Sequence, residues 1–148
     1  MTVSLRLTAL AALAAAAVAA PLAMSMAQGD PIAARKALFQ SNRTSMAAIK
    51  AVIDANGPTA GAEAPALTMV SNAANIPGLF PAGSDKGDTK AKPAIWSNFD
   101  DFKAKAAGFG TAAENIAAAA KSGDMNKLKA AFGAAGGACK ACHDDYRA

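Results

Sequence analysis

The sequence predicts an all-α protein, an antiparallel four-helix bundle, and three observations support this fold class. Alanine is abundant and β-branched residues are few, which favours helices. Glycine and proline lie mainly between the apolar stretches and so indicate turns. Within the two longest of those stretches, apolar residues recur at alternating spacings of four and three, which is the seam of a helix bundle.

The first residues are typical of an export signal. Arg6 and the N-terminal amine are positive, Leu7 to Val18 is an uncharged apolar run, and Ser25-Met26-Ala27 has the small-x-small pattern of a signal peptidase site. We therefore predict a signal peptide over residues 1–27 that is cleaved, and a periplasmic location. A transmembrane anchor is the alternative, because Leu7 to Met26 is long enough to span a bilayer, but its alanines are only weakly apolar.

The rest of the chain, residues 28–148, is predicted to form one domain. It has 14 basic and 11 acidic residues, a net charge of +3, and these charges are spread along the chain. Lys86, Lys90 and Lys92 form the only loose basic cluster, which we interpret as a solvated loop. Without a dense basic stripe, the composition does not indicate a nucleic-acid partner.

The first helix is predicted to begin at Pro31, with Asp30 as its N-cap. Asn56-Gly57-Pro58 should end it, with Gly57 free to take the left-handed conformation. Its inward residues recur every seven positions, with one companion: Ile32, Phe39, Met46, Ile53 and Ile49.

A shorter second helix is predicted over residues 62–75. Pro65 fits only in its first turn, and Leu67, Val70 and Ala74 should face inward. The glycine- and proline-rich stretch IPGLFPAGSDKGDTKAK then forms a long connection, from which Leu79 and Phe80 should pack against the core.

The third helix is predicted from about Pro93 to Ser122, and the turn Ser122-Gly123-Asp124 then caps a fourth helix. Gly108 and Gly110 each cost about 1 kcal/mol relative to alanine, which indicates close approach of a bulky group or a tolerated weakness. The seam of the third helix is Ile95, Phe99, Phe102, Ala106, Phe109, Ala113, Ile116 and Ala120. The seam of the fourth is Leu128, Phe132, Ala135, Cys139, Cys142 and Tyr146.

The stretch GGACKACHDDYRA holds both cysteines of the chain and its only histidine. On a helix, Cys139, Cys142 and His143 fall within an arc of about 100° and point into the bundle together. Two thiols and an imidazole on one face suit covalent haem attachment, with thioethers to the vinyl groups and the histidine on the iron. Gly136 and Gly137 have no side chains that would obstruct a flat macrocycle.

Three other interpretations of the motif are less favoured. A structural zinc site needs four ligands, and only carboxylates could complete the set here. A thioredoxin-type oxidoreductase needs an α/β pattern, whereas no strands are predicted. A disulfide across two intervening helical residues is geometrically awkward. With an export signal and a seam that runs through the motif, the sequence favours one covalently bound haem c.

A haem-attachment motif at the C-terminal end of a helical bundle resembles the class II c-type cytochromes, the cytochrome c prime family. The resemblance covers essentially the whole of residues 28–148. Its most specific segments are RKALFQSNRTSM at 35–46, LFPAG at 79–83, AIWSNFDDFKAK at 94–105 and GGACKACHDDYR at 136–147.

The family has a low-spin branch, in which a first-helix methionine ligates the iron and the protein carries electrons, and a five-coordinate branch that binds small gases. The methionine of the first branch would fall at Phe39, which cannot ligate iron. Met46 lies two turns away, roughly 10 Å along the axis. Met69 and Met125 are on other helices and are more naturally core residues. The resemblance therefore makes Phe39 the residue that covers an open distal face.

The resemblance also implies roles for other residues. Arg35 matches an arginine that contacts a haem propionate, Trp96 matches a tryptophan beside the haem, and Arg147 matches a basic residue beside the proximal histidine. As ordinary side chains, Arg35 would be an exposed charge and Trp96 a core tryptophan. Tyr146 and Phe132 are expected in the core, and Asp144 and Asp145 on a solvated face.

These expectations favour a haem protein with five-coordinate, high-spin iron that buffers or carries NO and also binds CO. O₂ needs a hydrogen-bond donor, and no histidine lies near Phe39. A six-coordinate electron carrier is the alternative, and electron transfer is within reach of either form. An enzymatic role is not expected, because a peroxidase needs a distal acid-base group. The family often forms dimers through its first two helices, so a homodimer is a further expectation.

Overall fold

The computed structural model of the protein describes residues 29–148, and the predicted signal peptide, residues 1–27, lies outside that range. Two short 3-10 turns, Thr59–Ala62 and Pro77–Leu79, flank the second helix. In the described part of the chain the only β-type pairing is an isolated bridge between Ala91 and Arg147. The α-helices are α1 (Pro31–Asp54), α2 (Glu63–Asn75), α3 (Ala94–Ser97), α4 (Phe99–Ser122) and α5 (Met125–Tyr146).

Helix α1 begins as predicted and ends differently. The Asp30 carboxylate accepts a hydrogen bond from the Ile32 backbone N–H at 2.9 Å, and Pro31 occupies the first turn. At the other end Asn56, with φ of 48°, takes the left-handed conformation that was expected of Gly57. Asparagine tolerates this conformation better than most residues with a side chain, so it ends the helix in place of glycine.

The buried face of α2 is displaced by one residue from the prediction. Leu67 is 49% exposed, Val70 is half-buried and Ala74 is exposed. The buried positions are instead Ala66, Met69 and Ala73. Small side chains let α2 approach its neighbouring helices closely. The face of α2 that permits this close approach is therefore buried, although another face carries the larger apolar side chains. The expectation that Met69 packs in the core is confirmed.

The predicted third helix is two helices. Asn98, with φ of −133° and ψ of 49°, leaves the helical conformation and separates α3 from α4. Its carbonyl accepts a hydrogen bond from the Phe102 N–H at 3.1 Å, so Asn98 begins α4. Before the break, the Trp96 indole N–H donates to the carbonyls of Phe80 and Pro81. This tie to the preceding loop orients α3 separately from α4.

Helices α4 and α5 follow the predicted seam. Gly123 ends α4 in the left-handed conformation, and the Asp124 carboxylate accepts from two N–H groups at the start of α5. A Cβ on Gly110 would lie 3.3 Å from the Cβ of Ala73, so this glycine permits close approach of α2 to α4. The space around Gly108 is open. The close neighbour of Gly110 is thus the small side chain of Ala73 and not the bulky group that the sequence suggested.

The core confirms an all-α antiparallel four-helix bundle, in which α3 is a short extra turn before α4. Helix α4 packs along both α2 and α5, and α1 packs mainly on α2. Within the described chain, no helix combines the length and the apolar character needed to cross a membrane. Phe80 is buried as predicted and lies 4.8 Å from Phe102, ring centroid to ring centroid.

Replacing Phe102 by alanine should destabilise the bundle by about 3–5 kcal/mol, because the buried ring joins three aromatic neighbours and its loss leaves a cavity. Urea unfolding followed by circular dichroism measures the change. Phe99→Ala removes the same atoms from a half-buried site on the same helix and should cost less than about 2 kcal/mol. Equal losses in the two variants would contradict this view of the core.

Candidate haem site

Helix α5 carries the two cysteines on the side that packs against the core, whereas the histidine, which was predicted to point inward with them, lies outside that packed side. Cys139 and Cys142 are half-buried with free thiols, and His143 is exposed. A Cβ on Gly136 or Gly137 would meet no atom within 4 Å, so the surface one turn earlier is open. Among residues 29–148, no three His, Cys, Asp or Glu side chains are placed to hold a metal ion.

The phenyl ring of Phe39 lies opposite the His143 imidazole. Their ring centroids are 6.4 Å apart and the planes are inclined by 68°. Phe39 projects from α1, whereas His143 projects from the last turn of α5. Two residues that are far apart in the sequence therefore form the facing walls of one site, between two helices that otherwise touch little.

Desolvation sets the protonation states in the site. It raises the pKa of the Cys139 and Cys142 thiols, and for Cys142 the nearby Lys105 partly opposes the rise. Desolvation also lowers the pKa of His143, as does the positive charge of Arg147, while Asp144 raises it. Neutral thiols and a neutral imidazole with a free nitrogen lone pair are the result at pH 7.

Arg35 is the most deeply buried charged side chain described, at 4% exposure. Its Nη2 donates to the Ser84 carbonyl at 2.6 Å and its Nε to the Pro31 carbonyl at 3.1 Å. The remaining nitrogen, Nη1, is buried without a hydrogen-bond partner. Burial lowers the pKa of Arg35, and Asp30 raises it. A guanidinium held by carbonyls, with one nitrogen unpartnered, is suited to an incoming anion.

Trp96 lies beside Arg35, and both residues were expected next to the haem. The Arg35 guanidinium carbon is 4.5 Å from the Phe80 ring centroid and 6.0 Å from that of Trp96. These cation–π contacts stabilise the charge without a carboxylate partner. Arg147 lies at the end of α5, next to the last turn that carries His143, and is exposed.

Two polar pairs near the site were missed by the sequence analysis. Asn42 is buried one turn after Phe39, and its side-chain oxygen accepts from Asn72 of α2 at 2.8 Å. Its spacing on the α1 seam, three residues after Phe39, could have indicated it. The Tyr146 hydroxyl donates to the Asp101 carboxylate at 2.5 Å. Tyr146 was expected in the core, but no local pattern links it to Asp101.

The residues present fit a covalently bound haem. Two free thiols, an imidazole and an open surface at two glycines lie on α5. The unpartnered nitrogen of Arg35 supplies a buried donor for a carboxylate, which haem carries on its edge. Each chemical group of the cofactor thus has a matching group on this chain.

The helical bundle and this donor set define a class of protein, the c-type cytochromes built on four helices. The sequence model of the family described as Cytochrome C' matches residues 30–147. The chain therefore belongs to the cytochrome c prime family, and its cofactor is one covalently attached haem c.

Two relatives illustrate the range of the family. Cytochrome c' of Rubrivivax gelatinosus is 38% identical over 122 residues, which cover 80% of this chain and 95% of the relative. Cytochrome c-556 of Agrobacterium fabrum is 38% identical over 115 residues, 76% of this chain and 77% of the relative. Proteins of both names thus align with most of this chain at equal identity.

Solved structures share the fold as well as the sequence. Cytochrome c' from Thermochromatium tepidum superposes with a TM-score of 0.74 at 36% identity, over 80% of this chain and 94% of that one. A nitric oxide complex of a variant of cytochrome c prime from Alcaligenes xylosoxidans has a TM-score of 0.71 at 32% identity, over 80% and 93% of the two chains.

Tyr146 should titrate far above the usual range of tyrosine. Its hydrogen bond to Asp101, with desolvation and the nearby Asp145 and Cys142, raises the pKa from 10.0 to about 12. The folded state thus favours the neutral phenol. Its contribution to stability is complete below pH 10 and is lost as the pH rises from about 10 to about 12.

Ultraviolet resonance Raman of tyrosinate tests this shift, because the chain has one tyrosine. Asp101→Asn should move the midpoint back toward 10, since the negative acceptor is removed. Asp100→Asn is the matched control, because Asp100 pairs with Lys103 at 2.7 Å, and should leave the midpoint unchanged. A wild-type midpoint near 10 would contradict the assigned hydrogen bond.

Proposed function

We propose that this chain is a periplasmic haem protein with five-coordinate, high-spin iron that binds NO and CO. Cys139 and Cys142 would hold the haem through thioethers, and His143 would be the axial ligand of the iron. The observation that carries the proposal is the Phe39 ring, 6.4 Å from the His143 ring on the opposite wall of the site. A phenyl group has no lone pair to donate, so this wall leaves the second axial position open.

The methionines support an open position. Met46 lies seven residues after Phe39 on α1, about 10 Å farther along the helix axis. Met69 is fully buried in the core between α2 and its neighbours. Met125 begins α5, at the opposite end of that helix from His143. For any of these sulfur atoms to ligate the iron on the Phe39 side, the helix that carries it would have to shift.

Three further residues belong to the proposed site. Arg35 would pair its unpartnered Nη1 with a haem carboxylate, which supplies the buried charge with an anion. Trp96, fixed by its indole hydrogen bonds to Phe80 and Pro81, would border the same edge of the haem. Arg147 would stand beside the His143 imidazole, where its charge already lowers the pKa of that group.

The distal wall favours NO and CO over O₂. The haem iron would supply the position that binds a gas, and O₂ held there would need a donor near Phe39 to stabilise its charge. Asn42 is the polar residue one turn away, and its hydrogen bond to Asn72 directs the amide toward α2. The Alcaligenes xylosoxidans relative, solved as a nitric oxide complex, supports NO as the ligand.

Buffering or carriage of NO follows from such a site, with electron transfer as a property of the same iron. We assign no catalytic role, because proton transfer on the distal side would need an acid-base group where Phe39 stands. A six-coordinate electron carrier is the alternative outcome of the test below. The cytochrome c-556 relative shows that proteins of another name align with this chain at equal identity.

Optical and EPR spectra of the purified holoprotein test the proposal. The ferric protein should be high-spin, and the ferrous protein should bind NO and CO under anaerobic conditions. Phe39→Met should turn the spectrum low-spin, because a sulfur then lies where the phenyl ring was. If that sulfur occupies the position about nine-tenths of the time, apparent CO affinity falls about tenfold.

Two controls separate ligation from packing. Phe39→Leu keeps the wall apolar and should stay high-spin. Met46→Leu removes the nearest sulfur on α1 and should leave the wild-type spectrum unchanged. A low-spin wild type that ignores both gases and becomes high-spin in Met46→Leu would replace the proposal with the electron-carrier function.

We also infer a homodimer through α1 and α2. Within residues 29–148, Leu67 on α2 is the one large hydrophobic side chain that is exposed, at 49%. Sedimentation velocity should show a dimer that Leu67→Glu converts to monomer, because a buried unpaired carboxylate opposes association. Ala130→Glu, at an exposed site on α5, is the control and should remain dimeric. A monomeric wild type would contradict the inference.

A further inference from the structure

The proposed axial ligand stands in a part of α5 that is intrinsically weak. His143 lies three residues before the end of the helix at Tyr146. The last four carbonyls of a helix have no partners within it, and terminal turns therefore fray. Unless other groups hold this turn, the backbone of His143 would be among the least restrained of the bundle.

A short extended segment, Lys90–Lys92, supplies backbone partners to this turn. The Lys92 N–H donates to the Tyr146 carbonyl at 3.0 Å, and the Ala148 N–H donates to the Lys90 carbonyl at 2.8 Å. Between them lies the bridge of Ala91 with Arg147. The chain on the C-terminal side of His143 is thus paired and not free.

Side chains of α4 hold the same turn from the other side. Tyr146 is buried, with its ring edge-to-face on Phe102 at 5.3 Å between centroids. Its hydroxyl donates to Asp101 at 2.5 Å. Next to it, Lys105 pairs with Asp145 at 3.0 Å. Contacts from α4 therefore reach two of the three residues that follow His143 within the helix.

Packing against Phe102 does not require the hydroxyl group of Tyr146. A phenylalanine would fill the same space on Phe102, so the ring alone explains the burial. The hydroxyl adds a directional bond to a charged acceptor, and such bonds are stronger than neutral ones. Asp101 is 45% exposed at its side chain, so this carboxylate remains solvated without the tyrosine. Removing the hydroxyl thus tests this bond, along with the longer 3.4 Å contact of the hydroxyl with the Asn98 carbonyl, without stranding a buried charge.

We propose that the Tyr146–Asp101 hydrogen bond is a positioning device for His143, fixing the last turn of α5 against α4 so that the imidazole resists withdrawal from the iron. The inference rests on the proposed ligation by His143. The bond acts through the backbone, because Tyr146 follows the histidine by three residues and shares its helical turn. A looser turn would let the imidazole move away from a bound iron more readily.

Two measurements on the holoprotein test the device. Hydrogen–deuterium exchange of the peptide over residues 143–148 reports the turn itself. Resonance Raman of the ferrous protein reports the stretching vibration between iron and histidine. In Tyr146→Phe, we expect about tenfold faster exchange of those amides, as loss of one charge-assisted hydrogen bond predicts, and a lower, broader histidine band. Asp101→Ala should give both changes while keeping the tyrosine.

Matched variants separate this bond from general loosening. Asp101→Asn retains an acceptor for the Tyr146 hydroxyl. It should keep the amide exchange rate and the iron–histidine band close to their wild-type values. Thr59→Val removes another buried hydrogen bond of α4, from the Thr59 hydroxyl to the Ala120 carbonyl at 2.8 Å, at the opposite end of the helix. It should leave both readouts at wild-type values.

The outcomes distinguish this inference from the function on which it rests. A wild-type protein without an iron–histidine band would overturn the proposed five-coordinate iron with His143 as its one protein ligand, and the positioning role with it. A wild-type band that stays unchanged in Tyr146→Phe and Asp101→Ala would overturn the positioning role alone. Faster exchange with an unchanged band would also overturn it, because the bond would then stabilise the turn without acting on the histidine.

Discussion

The close packing of α4 against two neighbours is the constraint on which the rest of the structure depends. Its alanine-rich surface and Gly110 bring α2 near, to the point where a Cβ would sit 3.3 Å from Ala73. On its other side α4 packs along α5 over much of its length. Small side chains make these contacts because they allow short distances between helix axes. As a result α1 is held mainly by α2 and packs little on α5, the helix that carries His143.

Most of the fold could be predicted because it depends on local pattern. The alternation of four and three along α4 and α5 places Phe102, Ile116 and Leu128 in the core, and each is buried. The break at Asn98 could not be predicted from the apolar spacing, which continues through it, and the hydrogen bonds of Trp96 with the Phe80 and Pro81 carbonyls beside it come from the tertiary fold. The inward face of α2 was predicted one residue out of place, since leucine is more apolar than alanine and the pattern favours Leu67. Close helix contact reversed that preference.

The candidate site divides in the same way. Cys139, Cys142 and His143 are grouped by the geometry of a single helix, which the spacing alone determines. The pairing of Arg35 with the Ser84 carbonyl and of Tyr146 with Asp101 spans more than forty residues in each case. Such contacts arise from the tertiary fold, so no short pattern reveals them. The family resemblance identified Arg35 and Phe39 as site residues. The structure then places the ring of Phe39 against that of His143.

The two walls of the site differ in how they are held. The α5 wall is fixed by backbone pairing with Lys90–Lys92 and by polar bonds from α4. The α1 wall near Phe39 is held by apolar contact and by the Asn42–Asn72 pair one turn away. Apolar contacts are not directional, so a side chain held by them shifts at lower cost than a bonded turn. The phenyl ring of Phe39 is therefore displaced at lower cost than the helix that carries His143.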